Sequence, residues 1–366
     1  MTLNGMAETA SCKATDLVES APSGRRSRVL FLYPVDTTFV RSDFELLRRV
    51  ADVTPYHFRG PRDYPGLLAR LFSADTVYCW FALGFAAVAA VAGRLLGRRA
   101  LVVAGGWDVV AMPEIGYGRL VSLRGRLVAR IAFFFANEIL AFSDWSADQI
   151  RRLSPGARIR RVYLSVDAEA FLPAQKERVV VCVANVSWEN VARKGLRTFV
   201  DAASSLSDVQ FFLVGQWCDD SVYELKANAP PNVTITGRLP DEDLRRLLGR
   251  AKVYCQPSYT EGFGVAIIEA MASGCIPVVT SAGAIPEVVG ETGIFVDYGN
   301  PSKLAAAIQL ALTSDRGNAA RTRVVHRFPQ ARRLAALQSA LTGFDEPGSR
   351  AGSQPEETAT TGEAHP

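Results

Sequence analysis

At 366 residues the chain is long enough for two domains, and its 48% hydrophobic and 21% charged residues are those of a soluble globular protein rather than a disordered one. The formal charge of +4 hides an asymmetry: residues 28–165 hold 19 Arg, no Lys and 11 acids (+8), residues 166–343 hold 18 bases and 18 acids, and residues 344–366 hold one Arg and five acids (−4). A basic first half favours an anionic partner or surface, although a solvated Arg-rich face gives the same count.

Residues 1–27 are polar and small, with no apolar core for a signal peptide, and read as a disordered lead. The first strand is RVLFLY at Arg28 to Tyr33, followed by a helix from about Ser42, with Ser42 as cap and Glu45 three residues on. Strands are then expected at Asp52 to Tyr56, Thr76 to Trp80, Ala100 to Ala104, Glu138 to Phe142 and Ile159 to Tyr163. Helical patterns of about ten to fifteen residues separate them, the longest at Tyr117 to Ala136. The uncharged stretch Thr76 to Gly93 approaches membrane-spanning length, but its glycines favour a buried strand and a buried helix.

After a linker at Val166 to Ala174 the alternation restarts, with strands near 178–184, 209–214, 233–236, 253–255, 276–279 and 293–296. The expected organisation is a first domain at 28–165, a second at 166–328, a C-terminal helix at 329–343 and a disordered acidic tail at 344–366. Alternating apolar strands and helices predict an α/β fold of two Rossmann-like parallel sheets facing each other. Such sheets bind ligands at the carboxyl ends of their strands, so the cleft between them is the expected site.

The six cysteines show no CxxC spacing and four lie in or beside apolar runs, which predicts free thiols in a reducing, cytoplasmic compartment. Three scattered histidines give no His/Cys metal site.

The stretch EGFGVAIIEAMASG, from Glu261 to Gly274, is the most informative. Gly262 and Gly264 allow a sharp turn into a helix whose N-terminus favours an anion. Glu261 precedes the turn and is placed to point into the cleft. Glu269 lies eight residues on; its carboxylate suits vicinal hydroxyls, or else it is solvated at the helix edge.

Together with GGWDV at Gly105 to Val109, AFSDWS, LSVDAEAFLP, ARKGLRTFVDAA, FLVG, ITGRLPDEDL and VYCQPSYTEGFG, this stretch resembles the retaining glycosyltransferases of the GT-B fold, especially family 4. The ordered series covers about residues 28–343. The resemblance implies transfer of a sugar from a nucleotide sugar to an acceptor, with retention of configuration and no essential metal or other cofactor. It places Glu261 on the donor sugar, Glu269 on the ribose, the backbone of Gly262, Phe263 and Gly264 on the diphosphate and sugar, and Lys194 on the diphosphate. Gly215 closes a donor-side strand.

The sequence departs from that pattern at Asn185, where the family commonly carries an arginine. Arg193 beside Lys194, or Arg238 in the TGRLP turn, is a candidate to supply the charge. On the acceptor side the candidates are Asp43, Arg41, Glu114 and Asp108, the last of which suits either a cleft position or a helix cap. On a helical wheel for Tyr117 to Ala136, residues Arg119, Arg126 and Arg130 share a face beside Leu120, Leu127, Ile131 and Phe134. That helix either packs on the sheet or sits on an anionic membrane, which agrees with an anionic or lipid-linked acceptor. A sugar-nucleotide epimerase and a non-catalytic nucleotide-sugar binder are the alternatives. No motif supports nucleic-acid binding.

Overall fold

The computed structural model describes residues 25–343. The expectations for 1–24 and for the acidic tail lie outside the described residues.

Six parallel strands form the first sheet: β1 Arg28–Tyr33, β2 Asp52–His57, β3 Thr76–Trp80, β4 Arg99–Ala104, β5 Glu138–Ala141 and β6 Ile159–Arg161, in the order β2-β1-β3-β4-β5-β6. A second parallel sheet holds β7 Glu177–Val183, β8 Gln210–Val214, β9 Val233–Gly237, β10 Ala251–Gln256, β11 Ile276–Thr280 and β12 Ile294–Val296, in the order β12-β11-β10-β7-β8-β9. The apolar runs are buried on both faces, as helix-covered parallel sheets require: every residue of β3 and β11 is buried. The uncharged stretch after Asp75 resolves into β3 and the helix Gly84–Leu95. No helix among the described residues is long and apolar enough to cross a membrane.

The domains share a core. One hydrophobic cluster joins Phe31, Tyr78 and Trp80 of the first sheet to Tyr254, Phe263 and Ile267 of the second. The chain crosses from first to second domain near Val166 and returns near Phe328, and the Val166 N–H donates to the Phe328 carbonyl at 3.1 Å. The final helix, Gln330–Thr342, then packs on the first domain's helix Thr38–Val50.

Three local expectations are corrected. The first helix begins at Thr38, with Thr37 at its cap and no side-chain cap bond, so Ser42 and Glu45 lie inside it rather than forming a capping box. The long helix begins only at Leu123, where the Ser122 hydroxyl accepts from the Gly125 N–H; Gly116 and Gly118, both at positive φ, break the pattern before it. Arg119 therefore lies off the helix that carries Arg126 and Arg130. Asp43 is fully buried, bonded by Tyr78 Oη at 2.6 Å and paired with Arg333 of the final helix. With its carboxylate committed there, Asp43 has nothing to offer an acceptor.

Candidate active site

β10 ends at Gln256, and the loop 257–264 carries Glu261 into the space between the sheets. Glu261 is buried, and four donors crowd its Oε1. Gln256 Nε2 donates at 2.8 Å and Ser258 Oγ at 3.1 Å, Lys194 Nζ makes a direct ion pair, and Arg193 Nη1 stands at 3.6 Å. No hydrogen bond from the described residues reaches Oε2. Burial alone raises the Glu261 carboxyl, but Lys194 and Arg193 outweigh it and hold the group below its ordinary range. Burial pulls Lys194 down, against the attraction of Glu261.

The two cations are positioned by a short helix the sequence pattern did not reveal. Ser187 caps Trp188–Arg193, accepting from the Asn190 N–H, and Gly195 turns the chain at φ 64° into the next helix. Arg193 donates to Asn190 Oδ1 at 2.6 Å and lies 4.7 Å from the Tyr117 ring of the first domain. Of the two arginine candidates, Arg193 is thus the one that joins the cluster. Arg238 is exposed after β9 and makes no hydrogen bond or ion pair to it. The Asn185 side chain is engaged away from the cluster, its Oδ1 accepting from the Gln216 N–H at 3.2 Å. Gly215 is required by close approach at the end of β8, where a Cβ would collide with the Ala184 carbonyl.

The helix Val265–Ala272 follows Gly264 at φ 96° and has no side-chain cap. Its first N–H groups are open to an anion in the cleft. Phe263 turns its ring into the core against Tyr163 and Phe328, so only its backbone is available to a ligand. Glu269 sits half-buried on the same helix, and no hydrogen bond from the described residues reaches its carboxylate. Burial, with Asp241 adding, pushes it up to about 7.

The first domain closes on this loop through glycine. A Cβ at Gly262 would collide with the Gly105 carbonyl and with Gly106, so the two glycine turns touch backbone to backbone. Ser143 Oγ donates to the Gly262 carbonyl at 3.0 Å, and Ser146 Oγ to the Gly105 carbonyl at 2.7 Å. Asp108 is buried as a brace for this turn, accepting from the N–H groups of Ala82, Gly105 and Gly106. It caps no helix: the turn Trp107–Val109 has Gly106 at its cap and no side-chain cap bond, and the carboxylate is spent on the backbone around it. Glu114 stays at the cleft mouth, where its Oε1 accepts from Tyr259 Oη across the domain boundary at 2.8 Å.

Residues 177–314 match the family described as Glycosyl transferases group 1. The second domain belongs to the group 1 glycosyl transferases. Taken together, the described residues of both domains have the GT-B fold. The chain superposes on Anabaena HepE, solved with UDP and glucose, with a TM-score of 0.74 at 18% identity, covering 87% of this chain and 100% of that one. Sucrose-phosphate synthase from Thermosynechococcus elongatus gives 0.71, also at 18% identity, with 87% and 99% covered. Among curated proteins, the chain is 32% identical over 229 residues to the MMP alpha-(1->4)-mannosyltransferase of Mycolicibacterium hassiacum, covering 58% of this chain and 52% of the relative. It is 28% identical over 201 residues to the O-antigen chain mannosyltransferase B of Escherichia coli, covering 49% and 52%. The chain thus spans about half the length of the curated relatives it matches.

The sequence pattern named Glu261, Glu269, Lys194, Arg193 and the glycines of this site. It missed Gln256, Ser258, Ser143, Ser146 and Tyr117. Ser143 and Ser146 lie in the AFSDWS segment that carried part of the resemblance, which was the available signal for them.

Proposed function

We propose that this protein is a retaining glycosyltransferase that moves a hexosyl group from a nucleotide sugar to an acceptor. The observation that carries the reading is the Glu261–Lys194–Arg193 cluster beside the uncapped N-terminus of Val265–Ala272, facing the first domain across the cleft. The donor's diphosphate binds at that N-terminus, with Lys194 and Arg193 neutralising the charge that grows as it departs, and no metal ion is needed for the task. Glu261 keeps Oε2 for the hydroxyls of the donor sugar, while Oε1 is locked by its four donors. Glu269 takes the ribose hydroxyls. The bond from the anomeric carbon to the diphosphate breaks, the bond to the acceptor oxygen forms on the same face, and the acceptor's proton passes to the departing phosphate.

The mannosyltransferase relatives, and HepE solved with UDP-glucose, support a nucleotide-hexose donor. A non-catalytic binder was attractive because of Asn185, but Arg193 offers the guanidinium whose absence raised the idea. Five free cysteines among the described residues favour a reducing, cytoplasmic setting. The helix Leu123–Phe135 favours peripheral contact with an anionic membrane. It exposes Leu123 (80%), Leu127 (61%) and Phe134 (74%) beside Leu95 (82%) of Gly84–Leu95, and neither helix contains an acidic residue.

The test is a thermal-shift panel of UDP, GDP, ADP and their hexose conjugates, followed by donor hydrolysis. One nucleotide should stabilise the protein, Lys194→Ala should abolish that shift, and Glu261→Ala should abolish hydrolysis while retaining the shift. If no nucleotide shifts the protein and no conjugate is hydrolysed, the reading fails.

A further inference from the structure

A second cavity, of about 500 Å³, opens on the first domain at the carboxyl ends of β1 to β4. Its lining includes His57, Phe58, Arg59, Tyr64, Trp107 and Arg119. Trp107 of its lining stands two residues beyond Gly105, whose turn touches Gly262, so one wall of the cavity continues from that turn. Its size is that of a small-ligand site.

Three features give it one chemical character. The Arg119 guanidinium lies over the Trp107 ring, 5.9 Å from the centroid, and its Nε is buried without a hydrogen-bond partner. No carboxylate among the described residues pairs with Arg119 or Arg59. The nearby acids are engaged elsewhere: Asp63 Oδ2 accepts from the Arg59 and Gly60 N–H groups, and Asp36 is paired with Arg41. Finally, the helix Gly84–Leu95 begins in the cavity wall with no side-chain cap, so its N-terminus adds a positive end. An orphaned guanidinium nitrogen is costly to bury and is satisfied by an oxyanion held in the arginine's planar fork. The indole, phenol and phenyl rings beside it offer an apolar wall.

We propose that this cavity is the acceptor site and that it selects an acceptor carrying a phosphate next to a sugar ring or another flat group. Trp107 packs the ring face, and Arg119 with Arg59 binds the phosphate, which comes either on a soluble sugar phosphate or on a lipid-linked one. The inference rests on the glycosyltransferase reading but uses residues that reading does not.

The experiment is isothermal titration of the full chain with three probes: glucose 1-phosphate, glucose joined through phosphate to a short prenyl chain, and methyl α-glucoside as the neutral counterpart. At least one phosphorylated probe should bind about tenfold or more tightly than methyl α-glucoside. The tighter of the two identifies the source. Arg119→Gln and Arg59→Gln should each remove most of the preference and leave the weak binding of methyl α-glucoside unchanged. The nucleotide thermal shift should persist in both variants, which certifies their folding and an intact donor side. The proposal is overturned if the phosphorylated probes bind no better than the neutral one. It is equally overturned if their binding survives the double Arg59→Gln/Arg119→Gln variant, or is lost in Lys194→Ala instead. Failure of every nucleotide to shift the wild-type protein, with no conjugate hydrolysed, overturns the glycosyltransferase reading itself, so the two failures are distinct.

Discussion

Arg333, on the last helix, closes a two-pronged ion pair on Asp43, on the first: Nε to Oδ1 at 2.5 Å and Nη2 to Oδ2 at 2.6 Å, with both side chains almost wholly buried. The same guanidinium donates to the Val162 and Tyr163 carbonyls at the domain crossing. Removing one partner strands a buried charge. Arg333→Ala should therefore lose about 3–5 kcal/mol of stability. Replacing both by Asp43→Leu/Arg333→Met should cost far less than the sum of the single changes. Urea unfolding midpoints check both statements, and additive costs would show that the pair is not a unit.

Gly262 gives a second prediction. Any Cβ there meets the Gly105 carbonyl, so Gly262→Ala must push the domains apart. Transfer should fall by about a hundredfold, because small misplacements at the reacting centre cost that much. The scattering radius of gyration should increase. Full activity with an unchanged radius would mean that the glycine contact does not set the closed geometry.

Glu269 predicts a pH dependence. Its folded value, pushed up to about 7 by burial, lies above the ordinary 4.5. The folded state thus binds more protons than the unfolded one between those values, and this residue's contribution to stability falls as pH rises through that window. Glu269→Gln should accordingly be more stable than wild type near pH 8, by a margin that disappears below about pH 4. A ribose needs the ionised carboxylate as acceptor, so nucleotide affinity should rise through pH ~7 in wild type and stay flat in Glu269→Gln. Thermal shifts taken across pH read both, and parallel profiles for the two proteins would remove Glu269 from the ribose site.

The exposed face of Leu123–Phe135 predicts binding to vesicles rich in phosphatidylglycerol, weakened by salt. Leu127→Glu/Phe134→Glu should reduce co-sedimentation by about tenfold or more without changing nucleotide binding. Equal sedimentation of wild type and variant would assign this face no role at a membrane.

Both sheets could be read from the chain because buried parallel strands are nearly continuous apolar runs, and β3 or β11 leaves little else to read. Glu261 and Glu269 were legible because seven intervening residues, two of them glycine, carry their own local geometry. What fixes Glu261 was not. Gln256 and Ser258 are close in sequence but ordinary in type, and Ser143 reaches Gly262 across 119 residues. The choice between Arg193 and Arg238 turned on which element ends beside Glu261, a matter of sheet order rather than spacing. Periodicity misread Tyr117–Ala136 because Arg119 and Leu120 continue a helical pattern across Gly116 and Gly118, whose backbone cannot continue it. The error mattered: freed from the helix, Arg119 folds over Trp107.

The paired crossings near Val166 and Phe328 have a mechanical consequence. Both covalent links between the domains lie side by side at one place, so any opening of the cleft would turn about that place. Such an opening would part Gly105 from Gly262 and leave the Arg333–Asp43 pair closed. A substrate would enter and leave by this swing, and the two glycine turns would meet again in the same register on every cycle.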